Sequence, residues 1–251
     1  MTIFSLARAA CGGHIVHYAT LGGNPPTTPI YGIPMAKNRK SSSSARPLKH
    51  LSATCLAGIL AAVALAFAPA AVAAPADPAA ARVDAFDHAL VDAMKAGPTL
   101  GVKGRARKLA PAVAATFDLS TMTRFAVGPK WGGMTAAQRD SLIAAFTRLT
   151  VASYAHNFDS FGGERFDLDP NVQSRGADKI VQCKLVPPRD KPVALVYRMR
   201  QAADGWKVID VYYDGISQLT TRRSDFAQPV ASGGADGLLG HLDALTDRLL
   251  K

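Results

Sequence analysis

From Val83 onward the apolar positions recur at helical spacing. Val83, Phe86, Leu90 and Met94 predict an amphipathic helix that ends near Gly97-Pro98. A second helix is expected over about Lys103–Ala110, where Pro111 would open a new turn or kink the old one. Leu119, Met122 and Phe125 mark a short third helix that begins near Asp118 and closes at Gly128-Pro129, just before Trp131. Thr135-Ala-Ala-Gln138 is a capping box, in which Thr can bond the N3 amide and Gln can reach back. The helix it opens carries Leu142, Phe146, Leu149 and Ser153 on one stripe, extended by Tyr154, Phe158 and Phe161 toward Gly162-Gly163. It is the longest helix in the pattern and the one expected to lie across a sheet.

Beyond Glu164 the period shortens toward two. Phe166 and Leu168 suggest a short strand, and the segment around Val172 a second, weaker one. Lys179–Val186 and Val193–Arg200 read as firm strands, joined by the turn Pro187-Pro-Arg-Asp-Lys-Pro192. Ala203-Asp204-Gly205 turns into a strand at Trp206. Val181, Cys183 and Leu185 share one face of their strand, and Val193, Leu195, Tyr197 and Met199 one face of the next. In the last strand Ile209, Val211 and Tyr213 alternate with Trp206, Val208 and Tyr212, so it reads as apolar on both sides.

The segment Trp206–Phe226 is the hinge of the pattern. Its strand breaks at Asp214-Gly215, Ser217 stands at a helix N-cap position, and Leu219, Arg223 and Phe226 follow at helical spacing. Pro229 and Gly233-Gly234 should stop or kink that helix, and Leu238, Leu242, Leu245 and Leu249 carry a last one. The expected architecture is α+β. An antiparallel sheet of about four to five strands is covered by N-terminal and C-terminal helices. Periodicity alone leaves open whether the space beneath the sheet is a solid core or a cavity.

Charge divides the chain. Residues 1–74 hold six Lys/Arg and no acid, which accounts for +6 of the formal +10 and leaves +4 on the remainder. The basic cluster Lys37, Arg39, Lys40, Arg46 and Lys49 precedes an apolar run from Leu51 to Phe67, and Ala71-Val72-Ala73 has the small-x-small form of a signal-peptidase site. Residues 1–34 are thus expected to be a disordered upstream extension, with Met35 the start, 35–73 a signal peptide, 74–82 an Ala/Pro linker and 83–251 the folded domain. Retention of the apolar run as a membrane anchor is the competing reading. After cleavage near Ala73 only Cys183 remains, so no intrachain disulfide can form, and a core of roughly 175–180 residues must hold the fold unaided. Arg105, Arg107 and Lys108 are the densest basic cluster and read as a solvated helix face, which argues against nucleic acid as a partner.

Candidate chemistry is sparse. There is no phosphate-cradling Gly loop, no Gly-x-Ser-x-Gly elbow and no His-Glu-x-x-His helix, and His88, His156 and His241 are widely separated. No metal or cofactor is therefore expected. Asp210 and Asp214, four apart on one strand, are the best carboxylate pair. An isomerase or hydratase could use Asp210 as base with Tyr212 as donor; the plainer reading gives Asp210 a hydrogen-bond network and Asp214 the turn amides.

The ordered set Phe117-Asp118-Leu119 with Met122, Gly128-Pro-Lys-Trp131, Gln138-Arg139 with Phe146, Tyr154, Trp206-Lys-Val-Ile-Asp210, Asp214-Gly-Ile-Ser217 and Arg223-Ser224-x-Phe226 resembles the MlaC (toluene-tolerance auxiliary) family of periplasmic lipid-binding proteins, and within it the hopanoid-associated HpnM branch. The resemblance covers about residues 83–250 and departs from the usual pattern at Arg222, Asp225 and Pro229. It implies that the α+β sheet is strongly curved, an NTF2-like cone with an apolar cavity, in a periplasmic monomer without chemistry of its own, shuttling a phospholipid or hopanoid between an inner-membrane MCE-type ABC transporter and an outer-membrane acceptor. A structural periplasmic adaptor is the remaining alternative. The expected cavity lining is Phe125, Trp131, Phe146, Leu149, Tyr154, Val181, Leu185, Leu195, Tyr197, Met199, Val211 and Tyr213.

Overall fold

The computed structural model describes residues 77–251; the expected extension, signal peptide and first residues of the linker lie outside them. Helix α1 (Pro78–Lys95) begins five residues earlier than Val83, within the expected linker. The reason is Asp77, whose carboxylate accepts from the Ala79 amide as an N-cap while Pro78 supplies a preset first turn. Helix α2 (Gly97–Thr116) is longer than its apolar pattern: Gly101, at φ 61°, breaks it near the start, and Pro111 is absorbed inside it. Helix α3 (Leu119–Val127) is capped by Asp118, a 3-10 turn runs from Gly128 to Gly133, and the capping box of Thr135 and Gln138 opens α4 (Ala136–Asn157) with both reciprocal bonds present.

One antiparallel sheet follows, from β1 (Arg165–Leu168), β2 (Gln173–Arg175), β3 (Asp178–Val186), β4 (Val193–Ala202), β5 (Gly205–Tyr213) and β6 (Ile216–Ser217). Its order is β1-β3-β4-β5-β6, with β2 sharing the β1 edge of β3. Asp214 and Gly215, at φ 46° and 83°, make the two-residue turn between β5 and β6; two positive φ angles in succession suit the right-handed twist of the strands they join. The last helix, α5 (Gln218–Leu249), passes through Pro229 and breaks at Gly234, so Leu238 and Leu242 pack from a second, differently directed segment.

The inner face of the sheet does not follow simple alternation. Met199 pairs with Val208 and Arg198 with Asp210, which leaves Ile209 as an extra, bulged residue on β5. The inward set is therefore Val208, Val211 and Tyr213, drawn from both of the alternating sets that made this strand read as apolar on both sides. Helix α1 packs directly on the sheet at its Val181–Met199–Val208 end, where all three side chains are fully buried and the core is solid. The long helix α4, expected to lie across the sheet, packs most extensively on α5 and α2 and turns Phe146, Leu149 and Tyr154 toward the strands. Phe146 and Phe226 meet edge to face between α4 and α5, with centroids 5.8 Å apart.

Two buried cations fix α2 to its neighbours, Arg105 to α4 and Lys207 to β5. Arg105, expected on a solvated face, is buried and donates to the Ala155 carbonyl at 2.8 Å and the Gly97 carbonyl at 3.1 Å, tying α2 to the end of α4. Lys207 Nζ donates to the Ala114 and Ala115 carbonyls, closing the end of α2, and pairs with Asp204 at 2.8 Å. Just beyond, the Asp118 amide donates to the Val208 carbonyl. Gly97 sits where two backbones nearly touch, since a Cβ there would lie 2.0 Å from the Asp159 carbonyl oxygen. Gly97→Ala should therefore force the α2 and α4 ends apart and lower Tm by about 5 °C or more, from a cost of ~2 kcal/mol. Gly132→Ala, with open space around the added methyl, should leave Tm nearly unchanged in the same thermal melt.

Candidate functional site

Between the open half of the sheet and the α4–α5 wall lies a cavity. The sheet contributes Leu185, Leu195, Tyr197, Val211 and Tyr213; α4 contributes Phe146, Leu149, Thr150, Ser153 and Tyr154. Leu90, Phe117 and Met122 close the deep end, where Leu90, Phe117 and Tyr197 are almost fully buried. The mouth is formed by half-buried Tyr213, Gln218, Leu219 and Arg222. Register explains the sheet wall. Leu195 pairs with Tyr213 and Tyr197 with Val211, so four inward side chains form one contiguous patch.

Eight of the twelve residues expected at the lining are brought together here: Phe146, Leu149, Tyr154, Leu185, Leu195, Tyr197, Val211 and Tyr213. The other four lie elsewhere. Val181 and Met199 point inward as expected but belong to the solid end beneath α1. Phe125 is 39% exposed with the Arg124 guanidinium stacked on its ring, and Trp131 sits in the 3-10 turn under Arg139, 5.6 Å from the ring centre. Leu90, Phe117, Met122 and Phe158 were within reach of the sequence as apolar helix positions, but spacing cannot say which buried residue borders a void. Gln218, Leu219 and Arg222 follow from the corner before α5, which only the structure orients.

The lining is apolar apart from a few oriented groups. Thr150 and Ser153 hydroxyls donate back to the Phe146 and Leu149 carbonyls at 2.8 and 2.7 Å, which leaves methyl and methylene surface as much of their contribution. The cavity volume open to a water-sized sphere is about 70 Å³. That is a narrow cleft beside the roughly 300–1,000 Å³ of pockets that enclose drug-sized ligands.

Asp210 does not line the cleft. Its carboxylate accepts from Ser217 Oγ at 2.7 Å and from the Leu219 amide at 3.1 Å, while Ser217 Oγ in turn accepts from the Thr220 amide. The partner expected on the same face, Asp214, lies beyond the strand in the turn, where it accepts from the Ala194 amide at 3.1 Å. The two carboxylates thus hold a corner and a turn. Among the described residues no group of three or more His, Cys, Asp or Glu side chains could hold a metal ion.

One carboxylate escaped the sequence reading. Asp87 falls on the buried stripe of α1, seven residues before Met94 and four after Val83, and is 4% exposed. Tyr197 OH and Cys183 Sγ both donate to it at 3.4 Å, so it sits directly behind the Tyr197 wall of the cleft. Burial pushes its pKa up from 3.8 to about 7, only partly opposed by the Cys183 and Tyr197 hydrogen bonds. Burial and this carboxylate push the Tyr154 and Tyr197 phenols and the Cys183 thiol up in turn. A carboxyl that binds its proton more tightly when folded makes stability fall as pH rises from about 4 to about 7, and stay level above, by at most about 4 kcal/mol. Asp178, held below the usual carboxylate range by hydrogen bonds from Arg200 and Arg198, acts oppositely and withdraws its contribution as pH falls below its unfolded value. Asp87→Asn should therefore remove most of the decline between pH 5 and pH 8 in urea-unfolding stability; an unchanged decline would place its origin elsewhere.

The same helices and sheet are found in known proteins. A phospholipid-binding protein from Ralstonia solanacearum, solved in complex with a phospholipid, shares the fold at a TM-score of 0.61 with 24% sequence identity, over 70% of this chain and 100% of that one. The MlaC protein family matches residues 85–244, from the first helix of the domain to the last, and by that match over more than half its length the chain belongs to the MlaC family.

Proposed function

We propose that this protein is a lipid carrier that binds acyl chains in the cleft between the sheet and the α4–α5 wall. The observation that carries the reading is the apolar cleft walled by Leu185, Leu195, Tyr197 and Val211 on one side and Phe146 and Leu149 on the other. Membership of the MlaC family and the phospholipid held by the R. solanacearum relative support it. Exposing a chain of about 16 methylenes to water costs on the order of 13 kcal/mol at ~0.8 kcal/mol per CH₂, so a carrier must cover the chain almost completely. The cleft is too narrow for that in this form, and loading requires the helical wall to move away from the strands. The cleft already separates part of that wall from the strands, whereas α1 lies directly on them.

On this reading the protein works in the periplasm as a monomer, taking lipid from an inner-membrane MCE-type ABC transporter and handing it to an outer-membrane acceptor, or the reverse. It carries out no chemistry. A base at Asp210 gains no support from the geometry, because both carboxylate oxygens are engaged at the α5 corner, away from the cleft. The expected signal peptide belongs to the same proposal, and the exported protein should show an intact mass beginning near Ala74. Full-length protein held in the membrane fraction would overturn that part.

The cleft itself is tested by filling it. Leu195→Trp or Val211→Trp should abolish copurifying lipid in native mass spectrometry while Tm stays within a few degrees. If the space is solid core, the added ring overpacks it and costs ~1–3 kcal/mol with no lipid in either form.

A further inference from the structure

The cleft is electrically one-sided. Among its lining residues Arg222 alone carries a full charge, and it stands at the mouth, one helical turn beyond Gln218 on the face of α5 that meets the cavity. Its side chain keeps about one-fifth of its surface exposed, and burial lowers its pKa without threatening its charge at neutral pH. Asp225 lies 3.5 Å from Nη1, at the outer limit of a hydrogen bond. Gln218 Nε2 donates to the Ile216 carbonyl at 3.1 Å, which orients the amide beside the same opening. A guanidinium placed where an apolar cleft meets water suits a ligand with apolar tails and an anionic head. Its planar fork matches phosphate oxygens two at a time.

We infer that Arg222, assisted by Gln218, is a headgroup subsite for the phosphodiester of a diacyl lipid, and that it selects such lipids over uncharged ones. The inference rests on the carrier reading and narrows it: tails occupy the cleft past Leu219 and Tyr213, while the phosphate stays at the rim and competes with Asp225 for the guanidinium. An uncharged pentacyclic lipid or diacylglycerol would bury the same apolar surface but leave the arginine without that exchange. Charge-assisted hydrogen bonds of this kind discriminate by about tenfold or more.

The test uses the purified protein incubated with phosphatidylglycerol vesicles doped with a diacylglycerol of the same chains, followed by re-isolation and native mass spectrometry. Wild type should enrich the phospholipid over the diacylglycerol, relative to the vesicle, by about tenfold or more, and Arg222→Gln should lose most of that enrichment. Asp225→Asn, which removes the competing carboxylate, should keep or raise it. Millimolar inorganic phosphate should not displace the lipid, since the cleft contributes the affinity; displacement would mean a site for the free anion. Retained enrichment in Arg222→Gln, or its loss in Asp225→Asn, overturns the subsite while leaving a carrier in place. Wild type that takes up neither lipid overturns the carrier reading and the subsite with it.

Discussion

The structure turns on the buried carboxylate of Asp210. It accepts one bond from Ser217 Oγ and one from the Leu219 amide, so the chain leaving β5 must reverse through Asp214-Gly215 and start α5 at a set place. The start of α5 determines which of its side chains overlook the sheet. It also sets where Phe226 meets Phe146, and so the position of the α4 wall. A hydrogen-bonded carboxylate at a helix start is doubly favoured, by orphan amides and by the partial positive charge of the helix end. The residue that looks most like a catalytic base is thus consumed by architecture.

From that corner the domain divides into a filled end and an unfilled one. At the filled end α1 lies on Val181, Met199 and Val208, and Lys207 and Arg105 lock the helix ends with charge-assisted bonds to carbonyls. At the unfilled end the cleft lies between the long helix, packed against α5 and α2, and the inward side chains of β3, β4 and β5. A void beneath a sheet forfeits dispersion contacts that a close-packed core would make. The end where α1 lies on fully buried Val181, Met199 and Val208 supplies such contacts instead.

Much of this was legible in the residues. The capping box at Thr135, the N-cap at Ser217, the helix start near Asp118, the Asp214-Gly215 turn and the strands through Tyr197 and Tyr213 each rest on local chemistry that acts within a few positions, and each stands where spacing placed it. Effects that depend on distant partners were not. The bulge at Ile209 resets the inward face of β5, and alternation has no marker for an extra residue. Arg105 looked solvated because one carbonyl partner, Ala155, lies on another helix and the other, Gly97, at the far start of its own. Asp87 shares the stripe of Val83 and Phe86, yet polarity alone assigns an aspartate to the surface. The lining was half visible for a similar reason. Periodicity finds the side chains that face inward, Val181 and Leu185 alike, but only the position of α1 decides which of them borders solid core and which borders space.

The placement of Cys183 has a bearing on redox chemistry. It is the one cysteine among the described residues, and a lone thiol invites intermolecular cross-linking wherever oxidants are present. Here the thiol is buried beside Asp87, and both burial and that neighbouring negative charge raise its pKa and disfavour the thiolate that disulfide exchange requires. The carboxyl behind the Tyr197 wall therefore also protects the sulfur. The domain dispenses with covalent bracing and is shielded from acquiring a bond it does not use.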